Sequence, residues 1–218
     1  MRLQVYYGGT FDPVHLGHMA IARAARQALG VPVRLLPAAD PPHRAAPGAS
    51  AEQRLEMLQQ AIAGEPGLLL DRRELDRAAQ RPGVPSYTVD TLSGLRAEQG
   101  PAQPLAWLVG ADSLLGLGRW HRWQALFALS HFVVADRPGS DLPDVADPVL
   151  AQALQGRWTD RPEDLETAPA GRVLRLHQPL RTEAASDVRN AITSGTAWEA
   201  LVPPAVAAFI REHRLYGA

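Results

Sequence analysis

The chain has 218 residues, 22 of them basic and 23 acidic, and no cysteine, a length that fits one domain of ordinary size. Without cysteine there is no disulfide scaffold, thiolate zinc site, iron–sulfur cluster or cysteine nucleophile. Every basic residue is arginine, which also excludes a Schiff-base lysine and a P-loop lysine, and the near-neutral balance gives no electrostatic footprint for nucleic acid or an anionic membrane.

Elements follow in chain order. Leu3 to Tyr7 is a short apolar, β-branched and aromatic run closed by Gly8-Gly9, and it predicts a strand. Gly17 to Leu29 carries helical spacing and stops at Gly30 and Pro32. Val31 to Leu36 predicts a second strand, and Pro37 to Gly48 a proline-rich loop. Ser50 with Gln53 makes a capping box for a helix whose apolar stripe is Leu55, Met57, Leu58 and Ile62. Leu68 to Leu70 predicts a third strand, and Arg72 to Pro85 an irregular polar stretch. Tyr87 to Glu98 predicts a helix, Leu105 to Val109 a buried strand, Trp120 to Leu129 a helix and His131 to Ala135 a strand. Asp136 to Pro148 predicts a loop, Val149 to Gln155 a helix and Val173 to Leu176 a late strand. Helices over Ala184 to Ser194 and Pro204 to Leu215 close the chain.

Strands and helices therefore alternate. That order predicts an α/β fold with a doubly wound, mostly parallel sheet and right-handed crossovers. A single domain over 1–218 is expected, with the C-terminal helical part, about 184–218, packed on it. Met1 to Gly9 lacks the charged and apolar regions of a secretory signal, and no apolar stretch approaches ~20 residues. A soluble, cytoplasmic protein without a membrane partner is the expectation, and a homo-oligomer is left open.

In such sheets ligands gather beyond the carboxyl ends of the strands. There the first strand runs into Gly8-Gly9-Thr10-Phe11-Asp12-Pro13-Val14-His15-Leu16-Gly17-His18. The glycines let a ligand approach the backbone. His15 and His18, three apart where a helix begins, can face one way, and a helix start offers N–H donors and a positive dipole end to an anion. These features suit phosphate, with the histidines donating to phosphoryl oxygens as charge shifts in the transition state. The same residues also read as a glycine turn with ordinary capping histidines, or as a zinc site with Asp12 as a third ligand. A GxGxxG fingerprint is absent, which argues against ordinary nicotinamide dehydrogenases.

The segment Gly8 to His18 resembles the signature of the nucleotidylyltransferase superfamily, and further segments in order resemble bacterial nicotinate-nucleotide adenylyltransferases. The resemblance covers Leu3 to Tyr216 and implies a Rossmann-like nucleotidylyltransferase fold. It implies joining the adenylyl part of ATP to nicotinate mononucleotide with release of pyrophosphate, a step of NAD biosynthesis, with Mg2+ travelling on ATP and no protein metal ligand.

The resemblance also implies residue roles. His18 would contact the α-phosphate and His15 the neighbouring phosphates, with Thr10, Phe11 and the Gly8-Gly9 backbone lining the ATP side. Pro41-Pro42-His43-Arg44 stands where the family has proline-proline-histidine-lysine, so His43 and Arg44 would lie near the phosphates. Ser86-Tyr87-Thr88 would hold the nicotinate nucleotide, although Ser86 or Thr88 also reads as a helix cap. Gly110 and Asp112 would serve the adenosine side, and Trp120 rather than Trp123 would stack on the pyridine ring. Arg137 opens a turn that would reach the ligand. Ser186 and Arg189 lie in the last motif, where Ala184 and Ala185 replace two expected serines and Thr182 is a substitute hydroxyl. Arg44 and Arg189 would balance leaving-group charge. Alternatives are an acceptor such as nicotinamide mononucleotide or phosphopantetheine, and a non-catalytic nucleotide-binding module.

Overall fold

The computed structural model describes residues 1–39, 48–136, 145, 147–178, 181 and 183–218. His43, Arg44, Arg137 and Thr182 lie outside them. The first half runs β1 (Gln4–Gly9), α1 (Leu16–Leu29), β2 (Val33–Pro37), α2 (Ala51–Ile62), β3 (Leu68–Leu70), α3 (Arg73–Gln80) and α4 (Thr88–Gln99). The second half runs β4 (Leu105–Gly110), α5 (Ala111–Leu115), α6 (Trp123–Leu129), β5 (His131–Ala135), α7 (Pro148–Leu154), β6 (Trp158–Thr159), β7 (Val173–Leu176), α8 (Ala185–Thr193) and α9 (Pro204–Glu212).

The sheet has seven strands in the order β3-β2-β1-β4-β5-β7-β6. Every pairing among them is parallel. The chain winds outward from β1 through β2 to β3, then returns to the other flank of β1 with β4. The order therefore reverses between β1 and β4, and the crevice for a ligand opens beyond their carboxyl ends.

Alternation along the strands builds a core on each face of the sheet. Val5, Tyr7, Leu35, Ala106, Leu108 and Val133 point to one side, against α1, α2, α8 and α9. Tyr6, Leu36, Trp107, Val109, Phe132 and Val134 point to the other, against α4, α5, α6 and α7. Central strands are thus apolar on both faces, as a sheet covered by helices on both sides requires.

Local signals explain where several helices begin. The Ser50 hydroxyl accepts from the Gln53 backbone N–H at 3.2 Å and the Gln53 side chain accepts from the Ser50 N–H at 2.9 Å, the expected capping box of α2. Asp147 caps α7 by accepting from Val149 and Leu150, with Pro148 in the first helical position.

The structure corrects three expectations. Arg73–Gln80 is a helix rather than irregular chain. It buries only Glu74 and Leu75, so no apolar stripe announces it. It is held instead by ion pairs: Arg73 bridges Asp71 and Glu98, each at 2.9 Å. The helix expected from Trp120 starts at Trp123, because Arg122 takes a left-handed conformation with φ of 50°. Finally, α5 and the two-residue edge strand β6 were not foreseen; they are too short to show a period.

His131 opens β5 and is fully buried. Its Nδ1 accepts from the Arg172 N–H at 3.0 Å and its Nε2 lies 2.8 Å from the Ala168 carbonyl, so the ring is neutral with its proton on Nε2. Burial pushes its pKa below the ordinary histidine value. The unfolded chain therefore takes up a proton that the folded chain resists, and His131 makes stability fall as pH drops below about 6.5. The urea midpoint is expected to fall between neutral pH and about pH 5, and to fall less in His131→Gln.

Candidate active site

A cavity of about 610 Å³ opens at the carboxyl ends of the central strands. Gly8 and Gly9 of β1, Val109 and Gly110 of β4, and Ala135 at the end of β5 form its floor. Gly8 is required there: a Cβ on it would stand 2.2 Å from Cζ2 of Trp107, whose indole lies beneath the cavity floor and lines it.

One end of the cavity is built by the segment after β1. His15 is the N-cap of α1 and is 5% exposed. The His15 and His18 rings stack with centroids 3.7 Å apart. The His15 backbone N–H donates to Nδ1 of His18 at 3.3 Å. That bond leaves the proton of a neutral His18 ring on Nε2, a donor suited to an anionic oxygen. Phe11, at φ of 50°, packs its ring against His18 with centroids 4.9 Å apart, which fixes the second imidazole from behind. Thr10 completes this wall.

Across from it stands the start of α8. Ala184, Ala185, Ser186 and Arg189 line the cavity, and the Asp187 carboxylate accepts from the Ala184 N–H at 3.0 Å. The expected serines are absent, and a carboxylate cap holds the helix start instead. Arg189 donates through Nη1 to the Asp12 carbonyl at 2.6 Å. Glu183 also lines the cavity. Burial pushes its carboxyl up, but its own backbone N–H, the Arg181 guanidinium and His15 outweigh that and hold it below the usual range.

Two buried groups hold this end together. The Asp12 carboxylate accepts from Gly48 N–H at 2.8 Å, Ala49 N–H at 3.1 Å and the Tyr216 hydroxyl at 2.8 Å. Asp12 thus serves as a structural acceptor rather than a third ligand beside the histidines. Its charge and its burial raise the Tyr216 hydroxyl far above the ordinary tyrosine value, burial being the larger cause. Arg54 of α2 is fully buried. Its guanidinium donates to the carbonyls of Thr10 at 2.9 Å, Ala38 at 2.6 Å and Ala39 at 2.5 Å, joining the chain after β1 to the chain after β2.

The opposite end of the cavity is aromatic and polar. Tyr87 is the N-cap of α4, so neither Ser86 nor Thr88 caps it; all three line the cavity. The Tyr87 ring stacks on His121 with centroids 4.3 Å apart. Trp120 lines the cavity, whereas Trp123 is buried in the core against Phe127. Asp112, in the first turn of α5, lies on the β4 side.

The fold thus brings fourteen of the seventeen expected site residues to one cavity, while His43, Arg44 and Arg137 lie outside the described residues. Sequence reasoning did not single out Glu74, Trp107, His121, Asp136 or Gln178, which also line it. Asp136 stands just beyond β5, where strand-end position alone points to it; its carboxylate accepts from Arg175 at 3.0 Å. Glu74 gave no signal, because its helix gave none.

Residues 6–189 match the family described as Cytidylyltransferase-like. A protein of Stenotrophomonas maltophilia named "Probable nicotinate-nucleotide adenylyltransferase" is 67% identical over 99% of this chain and 97% of its own length. One of the same name from Marinobacter nauticus is 46% identical over 99% of this chain and 97% of its own length. The fold is also that of a Plasmodium falciparum nicotinic acid mononucleotide adenylyltransferase complexed with NaAD, with a TM-score of 0.74 and 14% identity over 99% of this chain and 98% of that one. The chain belongs to the cytidylyltransferase-like family and, within it, to the nicotinate-nucleotide adenylyltransferases. Among the described residues no helix is long and apolar enough to cross a membrane.

Arg54 makes a direct prediction. Arg54→Leu leaves three carbonyls near the cavity without their donor, at a cost of about 3 kcal/mol in folding free energy. Chemical denaturation checks the loss.

Proposed function

We propose that the cavity binds MgATP at its histidine end and nicotinate mononucleotide at its aromatic end, and joins them. The stacked His15–His18 pair at the start of α1 carries this reading. It sets two imidazoles and a helix dipole on one wall, with the start of α8 and Arg189 on the other. A polyphosphate between those walls meets donors on both sides.

The 5′-phosphate of nicotinate mononucleotide attacks the α-phosphorus of ATP. A new P–O bond forms, the bond to the β-phosphate oxygen breaks, and pyrophosphate leaves with that electron pair. The attacking phosphate is largely ionised near neutrality, its second pKa being about 6, so no protein base is needed. Catalysis is placement and charge stabilisation. His18 donates to the α-phosphate, and His15 serves the phosphates beside it. Arg189 keeps one of its N–H groups on Asp12 and turns others to the leaving group, where Arg44 and His43 act with it. Ser186 and the α8 backbone assist, and Mg2+ enters as part of the substrate, held by phosphate oxygens and water.

Gly8, Gly9, Thr10 and Phe11 shape the ATP side, and Asp112 accepts from ribose hydroxyls. The Ser86-Tyr87-Thr88 turn and Trp120 receive the nicotinate nucleotide, the indole face stacking on the pyridine ring. Arg137, the second residue after β5 in the chain, also contacts the ligand. The protein works in the cytoplasm.

Purified protein with MgATP and, separately, nicotinate mononucleotide, nicotinamide mononucleotide or phosphopantetheine tests the reading. Nicotinate adenine dinucleotide is expected as the dominant product, and chelation of divalent metal is expected to abolish it. ATP binding with no adenylylated product from any acceptor would establish a binding module instead. His18→Ala is expected to lower kcat by about 10²- to 10³-fold, the range for removing one transition-state donor, with KM for the acceptor little changed.

A further inference from the structure

The proposed reaction leaves one buried polar cluster unused. Glu74 on α3 is 5% exposed and lines the cavity. Arg77, one turn later, donates through Nη2 to the Ser86 hydroxyl at 2.6 Å and to the Thr91 hydroxyl at 2.7 Å. Thr91, itself 1% exposed, donates in turn to Oε1 of Glu74 at 2.6 Å. Arg77 and Glu74 stand 3.9 Å apart. Thr91 bonds to both charged groups, and Ser86 to the arginine. Both hydroxyls accept from the cation, and that of Thr91 passes its proton to the carboxylate, a connected network of the kind that fixes geometry.

The segment it holds follows a stretch that buries no side chain. Residues 81–85 are all exposed, with Val84 at 58%. The first buried side chain after them is Val89. Tyr87 is only partly buried, its ring packed on the edge of the core and against His121, while Ser86 is tied back to α3 through its hydroxyl. A separate tie, Arg73 to Glu98 at 2.9 Å, joins the start of α3 to the far end of α4. The two arginines thus divide the work, one docking the helix and one setting the turn.

We propose that Arg77, acting with Glu74 through Ser86 and Thr91, is a positioning residue for the acceptor nucleotide. It fixes the Ser86–Thr88 turn, and so the wall that Tyr87 and Thr88 present to the pyridine nucleotide. The proposal rests on the assignment of that turn to the acceptor. It has a signature that general destabilisation does not share: the acceptor KM moves while the ATP KM does not.

The test uses the full chain as wild type, Arg77→Gln, Arg77→Lys, Thr91→Val and Arg73→Gln. Initial rates are measured with each substrate varied against saturating amounts of the other, alongside thermal melting. Arg77→Gln is expected to raise the KM for nicotinate mononucleotide about tenfold, the size of one lost charge-assisted hydrogen bond, with the ATP KM within about twofold. Arg77→Lys restores part of the acceptor KM, because an ammonium reaches one hydroxyl but not both. Thr91→Val, which removes the bridging hydroxyl at nearly constant volume, shows the same split and serves if Arg77→Gln does not fold. Arg73→Gln leaves the acceptor KM unchanged. Equal rises in both KM values, a fall in kcat alone, no change, or the same split in Arg73→Gln would each overturn the positioning role. A wild-type protein that makes no nicotinate adenine dinucleotide overturns the parent reading and this one with it.

Discussion

The guanidinium of Arg54 enters the interior of the protein and ends on three backbone carbonyls. Burying a cation is costly unless its donors are satisfied. Here the acceptors belong to the chain just after β1 and the chain just after β2, so satisfying the charge fixes both exits from the sheet. Asp12 is the complementary constraint, an anion that gathers Gly48, Ala49 and Tyr216 around the same corner. Together they make the histidine end of the cavity a rigid frame rather than a set of loops. Preorganised donors are the means by which such a site stabilises developing charge.

The rest of the site follows from topology. A parallel sheet that reverses its winding between β1 and β4 leaves a crevice beyond those two strands. Gly8 keeps the crevice floor open for Trp107. Two helix starts, of α1 and α8, converge on one end of it, and the start of α4 closes the other. One end is therefore rich in donors for phosphate and the other in flat aromatic surface. That polarity is the physical basis for separating a nucleoside triphosphate from a pyridine nucleotide in one cavity.

Much of this was legible in the sequence, for identifiable reasons. The strands β4 and β5 are near-continuous apolar runs, β1 and β2 are mostly apolar around Gln4 and Arg34, and glycine or a loop ends each. The His15–His18 pair was legible because helical spacing brings such rings together, and they do stack. Trp120 lines the cavity while Trp123 lies in the core, a separation that follows a left-handed Arg122 that pattern could not show. Arg54 was not legible. The buried stripe of α2 is Arg54, Met57, Leu58 and Ala61, an ordinary helical spacing in which one member is charged, so Leu55 and Ile62 took its place in the reading. α3 was hidden for the opposite reason: it is fixed by ion pairs and hydroxyls whose partners lie elsewhere in the chain. The role of Tyr216 was not legible either, because only the fold brings its hydroxyl to Asp12, far away in the chain.

The central claim is that the two ends of this cavity serve two different nucleotides. A crystal structure with nicotinate adenine dinucleotide bound tests it most directly. The account predicts the adenylyl phosphate within hydrogen-bond distance of His18 and the pyridine ring against Trp120, beside the Ser86–Thr88 turn. A dinucleotide lying in the reverse direction, with its adenine on Trp120 and its pyridine ring at the histidines, would contradict it.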